Sequence, residues 1–299
     1  MKQQTLPGTW SATDSLNAFF QRLLGACQVI ARNRLALFGV TIVAVWLLTA
    51  LLAPLLATHD PYDVNIAQRL KNPTADHWLG TDYLGRDTYS RTVFGARTAF
   101  QVAIGAVFLG AFLGIPIGAV AGFAGRWVDA ALMRLMDAII AFPGRLLAIA
   151  LVASMGGGLL SLYIALGVNS IPGYARIVRG VVLSQKEKEY VEAARMTGES
   201  NMNILFRQVL PNCLSPLLVR VSLDFGNAIL AESSLSFLGL GLPPPTASWG
   251  LMLKEVTPFL QIQPMAAFFP GLTISLIILG FNLLGDGLRD VFDPRQYQR

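Results

Sequence analysis

The sequence predicts an all-α integral membrane protein with about six transmembrane helices, and three observations predict it. Of 299 residues, 54% are hydrophobic and only 14% charged, against roughly 25% charged in a soluble domain. The mean hydropathy is +0.53, and several windows reach the roughly 20 apolar residues needed to cross a hydrocarbon core. The basic residues behind the net charge of +5 sit at the ends of those windows. They read as topology signals and not as a nucleic-acid patch.

Residues 1–34 form a cytoplasmic N-terminal segment. Leu16, Phe19, Phe20, Leu23, Leu24 and Ile30 recur there at helical spacing after Asp14 and Ser15, the pattern of an amphipathic helix on the membrane surface. The segment has no compact apolar stretch beside a small-residue cleavage site and does not read as a removable signal. Residues 35–57 are the first span, with Arg32 and Arg34 holding its start in the cytoplasm. Residues 58–97 follow as an ordered extracytoplasmic loop in which aspartates such as Asp82 and Asp87 balance Arg86, Arg91 and Arg97. A core region over 98–285 holds five further windows, at 98–124, 130–153, 159–180, 212–232 and 266–285. A cytoplasmic loop over 184–211 and an extracytoplasmic loop over 233–265 interrupt it, and residues 286–299 form a cytoplasmic tail. Six spans leave both termini inside, and the remaining lysines and arginines concentrate in the segments this topology puts there.

Within the second window Gly110, Gly114, Gly118 and Gly122 fall on one helix face, which lets another helix approach closely. Cys27 and Cys213 form no disulfide framework. His59 and His77 are the only histidines. With no ligand-type spacing around them they read as solvated loop residues, and no metal site is predicted. No catalytic arrangement of serine, histidine and aspartate appears within the spans. There is also no Gly-rich phosphate loop ending in Lys-Ser/Thr, so any nucleotide is hydrolysed by another chain. This chain is expected to be no enzyme and to hold no cofactor.

Charges inside the spans are costly and mark candidate pathway positions. Arg145 lies in the third window just past Pro143, with no partner in its own span. Arg220 and Asp224 are four apart and share a helix face on which they can neutralise one another.

The loop over 184–211 carries the sharpest pattern. Glu192-Ala193-Ala194, three residues, Gly198, and then Leu210-Pro211 describe two short helices joined at a glycine that supplies the turn. This pattern resembles the EAA loop of ABC importer permeases, with Gln208 standing where isoleucine is usual. Leu79-Gly80-Thr81-Asp82 running to Gly85-Arg86-Asp87, Ser236-Phe237-Leu238-Gly239-Leu240-Gly241, and Phe281-Asn282-Leu283-Leu284-Gly285-Asp286 resemble the dipeptide/oligopeptide/nickel branch of that family, and its second, C-type permease. The resemblance implies an inner-membrane half-permease with a cytoplasmic coupling helix. It implies four kinds of neighbour: a homologous second permease, two ATP-binding subunits that carry ATP and Mg, an extracytoplasmic substrate-binding protein, and membrane lipid. Glu192, Ala193, Ala194, Gly198, Leu210 and Pro211 are its implied ATPase-coupling residues. Peptides are the first substrate class to consider, with nickel and glutathione-like solutes open. An ion-gradient-driven secondary transporter is the alternative, but the internal repeat expected of one is not visible.

Overall fold

The structure is a computed structural model describing residues 33–292. The amphipathic helix expected between Leu16 and Ile30 lies outside the described residues, as does the second half of the predicted tail. Among the described residues all regular structure is helical, apart from one antiparallel bridge between Thr81 and Asp87.

Helix α1 (Arg34–Leu51) starts where the Asn33 side chain accepts from the backbone N–H groups of Leu35 and Ala36, satisfying donors that a helix start leaves unpaired. Helix α2 (Thr88–Ala124) is capped by Asp87, whose carboxylate accepts from Ser90 N at 2.8 Å. It begins ten residues before the predicted span at 98. The first turns carry Thr88, Ser90, Arg91 and Thr92, all buried in protein, so a hydropathy window looking for a lipid-facing stretch misses them.

The predicted third span is not one helix. Helices α3 (Arg126–Ala141) and α4 (Gly144–Met155) meet at 85° across Phe142 and Pro143. Pro143 has no N–H to continue the ladder, and it pushes the preceding residue into extended backbone. Phe142 accordingly has φ −84° and ψ 133°.

Helix α5 (Leu159–Gln185) returns along α2, and the two form the most extensive helix pair among the described residues. The glycine face makes this contact. A Cβ at Gly110 would lie 2.8 Å from the Ser170 Cβ, one at Gly114 2.6 Å from the Ile171 carbonyl oxygen, and one at Gly122 2.8 Å from the Val182 Cβ. Backbones approach this closely only where side chains are absent.

After α5 come the short helix α6 (Glu189–Met196) and an irregular stretch that is π-helical over Ile204–Val209 and 3-10 over Leu210–Cys213. That stretch feeds directly into α7 (Leu214–Leu238). The last elements are α8 (Trp249–Val256) and α9 (Met265–Phe292). The helix thus continues past 285, where the sequence predicts the tail to begin. α9 packs on α1, where Gly39 admits the backbone of Leu284.

Among the described residues four helices are long and apolar enough to cross a membrane: α1, α2, the run from Asn201 to Leu238, and α9. The bent pair α3–α4 makes a fifth if it counts as one span. The window predicted at 159–180 is helical, at 27 residues roughly 40 Å long, but Asn169, Arg176 and Arg179 lower its apolar character.

Candidate coupling and pathway sites

Helix α6 is built to sit on its own subunit by one face and to leave the other free. Val191 and Ala194 are buried in a cluster with Ile204, Leu205, Val209 and Cys213, which also includes Val178, Val182, Tyr174 and Leu217. Glu192, Ala193 and Arg195 face outward, and Met196 is 90% exposed. The sequence treats Ala193 and Ala194 as equivalent small residues, but the fold separates them: Ala193 is available to a partner and Ala194 is internal packing. Leu210 and Pro211 are half-buried in the turn before α7.

Gly198 ends this helix at φ +83°, in the left-handed region that favours glycine. The N–H of Gly198 bonds to the Arg195 carbonyl and that of Glu199 to the Ala194 carbonyl. The glycine is there for the backbone angle alone, since a Cβ would meet nothing within 4 Å. Nearby, burial pushes the Tyr190 hydroxyl above its ordinary pKa, so it stays the donor to Gln185 Oε1 at 2.8 Å.

Arg220 and Asp224 meet as their spacing predicts, with Arg220 Nε donating to Asp224 Oδ2 at 3.0 Å. Asp224 is buried and Arg220 half-buried. The guanidinium lies over the Tyr174 ring at 5.8 Å and fills the space left by Gly173 on α5. The pair therefore bridges α5 and α7. Arg145 stands apart. It is exposed at the second residue of α4, immediately after the bend, and makes no ion pair or hydrogen bond among the described residues.

Two arrangements were not legible from the sequence. Glu232 on α7 is fully buried and has no basic partner among the described residues. Instead it accepts from Ser236 Oγ at 2.7 Å, Ser248 Oγ at 2.8 Å and Ser233 Oγ at 3.3 Å. Its signal was an acidic residue at the end of an apolar run. The second arrangement joins the two loops that the sequence predicts to lie outside. Arg86 donates to Asp82 Oδ2 at 2.6 Å and to Glu255 Oε2 at 2.7 Å, while Arg91 reaches the same Glu255 oxygen at 3.3 Å. Asp82 also accepts from Leu84 N and Arg86 N, closing the turn at Gly85. Burial, and then the Glu255 carboxylate, hold the Tyr83 hydroxyl above its ordinary pKa, and it donates to Glu255 at 3.4 Å.

The histidines are not scattered as the sequence implies, and only His59 is exposed. Their ring centroids lie 4.6 Å apart, and the His77 side chain is only 12% exposed.

A polar outer cap, lipid-length helices and a small helix presented at a loop glycine are the parts of a permease. Comparison decides which kind. The family described as binding-protein-dependent transport system inner membrane component matches residues 114–297, and the N-terminal TM domain of oligopeptide transport permease C matches residues 26–73. The chain belongs to this family of ABC importer permeases. The dipeptide transport system permease protein DppC of Alkalihalophilus pseudofirmus is 43% identical over 270 residues, covering 90% of this chain and 89% of that one. The glutathione transport system permease protein GsiD of Pectobacterium atrosepticum is 46% identical over 225 residues, 75% of each chain. GsiD of Escherichia coli O157:H7 is 43% identical over 265 residues, 88% of each. This permease is thus a multi-pass inner-membrane subunit of an ABC importer, of the C type, and the ion-gradient alternative is set aside.

Proposed function

We propose that this permease forms half of the translocation pathway for peptides or glutathione-like solutes, delivered by an extracytoplasmic binding protein and moved by two separate ATPase subunits that bind ATP and Mg. The names of its relatives support the substrate class. A second, homologous permease completes the pathway. In this reading the chain crosses the membrane six times, with α3–α4 as one broken span and α5 as another, both termini inside, and the Arg145 guanidinium free to hold a substrate carboxylate.

The observation that carries the coupling role is the two-faced character of α6. Val191 and Ala194 tie it to a packed cluster that runs through Tyr174 and Leu217 into α5 and α7, the helices that Arg220 and Asp224 bridge. Packed interiors transmit displacement because they have little free volume to absorb it. An ATPase that moves α6 therefore moves α5 and α7 with it.

Met196→Asp tests this, because Met196 is nearly free of its own subunit and its replacement leaves the fold intact. The expected result is unchanged thermal stability of the permease with reduced recovery of the ATPase subunits and reduced substrate-stimulated hydrolysis. Full recovery and stimulation would place the docking surface elsewhere.

A further inference from the structure

We propose that His59, His77 and Asp87 form a binding site for a first-row divalent cation of the zinc type on the extracytoplasmic loop. Both histidines of the chain are in it. One ligand atom from each of the three side chains lies within 4.8 Å of the others. His77 Nδ1 is 2.9 Å from Asp87 Oδ1, and His59 Nδ1 is 4.0 Å from the same oxygen. Donors bound at about 2.1 Å to one tetrahedral ion stand about 3.4 Å apart. The His77 and Asp87 atoms are within about 0.5 Å of that separation. His59 must approach Asp87 Oδ1 by about 0.6 Å to match it, and its side chain, 41% exposed, has room to do so.

The surroundings support the ligand atoms. His77 Nε2 lies 2.7 Å from Gln68 Oε1, and an Nε2–H donated to that oxygen leaves the Nδ1 lone pair for an ion shared with Asp87 Oδ1, 2.9 Å away. Donation of the other ring N–H to such an acceptor is the support that metal-bound histidines characteristically have. Asp87 is held independently, because its Oδ2 accepts from Ser90 N at 2.8 Å and leaves Oδ1 for the ion. Ser90 Oγ in turn accepts from His59 N at 3.1 Å, which anchors the third ligand to the same helix start. Two imidazole nitrogens and one carboxylate oxygen suit zinc, nickel or cobalt better than magnesium or calcium. A bound ion would clamp the chain leaving α1 to the start of α2.

The test uses the assembled transporter, stripped with a chelator, desalted and titrated with Zn²⁺, with bound metal measured by elemental analysis and with Co²⁺ absorption as a second readout. His59→Ala is the deciding variant because its exposed side chain can be removed without disturbing the fold. The expected result is one equivalent of zinc per permease that the His59→Ala assembly lacks, with a cobalt spectrum showing nitrogen ligation. Gln68→Ala, which removes the support of His77, is expected to weaken zinc binding about tenfold. Equal zinc content and affinity in the parent and His59→Ala assemblies, or no zinc retained by the parent, would overturn the proposal.

Discussion

At the scale of single residues, the backbone angle at Gly198 and the ion pair at Arg220 make the sharpest demands. Because a Cβ at Gly198 has open space around it, substitution is opposed only by the φ of +83°, a cost of about 1–3 kcal/mol for a residue that resists the left-handed region. Gly198→Val is therefore expected to reduce ATPase association and stimulated hydrolysis together. Gly198→Asn, which tolerates that region, should retain most of both when the reconstituted complex is assayed. Arg220→Leu strands a buried carboxylate, a loss of about 3–5 kcal/mol when one partner of a buried pair is removed. The double change to Leu at Arg220 and Asp224 is expected to recover much of the thermal stability measured in detergent. If the double variant also transports normally, the pair is structural. Both features were legible in the sequence, since i to i+4 spacing and a glycine after a short helix are local facts. The split between Ala193 and Ala194 was not, because it depends on what α6 lies against.

At the scale of elements, the α2–α5 contact explains why four glycines recur on one helix face. Gly118 is pressed against the Ala175 backbone, whereas Gly180 on α5 has nothing within 4 Å of a built Cβ. Gly118→Ala should therefore lower the melting temperature of the permease. Gly180→Ala should leave it unchanged or raise it slightly, since alanine is favoured over glycine by about 0.5–1 kcal/mol in a helix interior where it fits. Equal effects at the two positions would mean that the glycine face does not carry the packing. The break between α3 and α4 shows the limit of reading elements from hydropathy: the second half of the window at 130–153 is apolar apart from Arg145, and only the 85° bend reveals two helices. Pro143 was visible as a perturbation, but the size of the bend is set by what each half packs against.

At the scale of the whole molecule, the outer cap determines which positions can report topology. Thr81 is extracytoplasmic by sequence but fully buried, with its hydroxyl bonded to the Gln68 carbonyl, so a cysteine there would be shielded in either orientation. Ala75 and Pro244 are exposed and are the better probes. In a background lacking Cys27 and Cys213, Ala75→Cys and Pro244→Cys should react with an impermeant thiol reagent in intact cells, while Glu187→Cys should react only after permeabilisation. Labelling of Glu187→Cys in intact cells would refute the six-span orientation. The cap also makes a stability prediction. Glu255→Gln leaves Arg86 and Arg91, both buried, with Asp82 as their one remaining shared carboxylate, and is expected to lower the melting temperature by several degrees and loosen the two loops to proteolysis.

By itself the sequence determined that this chain lives in a lipid bilayer, roughly where its long helices run, and where a short helix ends at a glycine turn. It did so because hydropathy, charge asymmetry, capping and glycine turns act over a few residues or a single helix length. The tertiary structure alone decided that α2 starts ten residues early, that the third span is broken, and that Asp82, Arg86, Arg91 and Glu255 lock two distant loops together. It also decided that two histidines and an aspartate share one corner of the outer surface. These are contacts between residues far apart in the chain, and buried polar groups resemble loop residues until the partners that satisfy them are known.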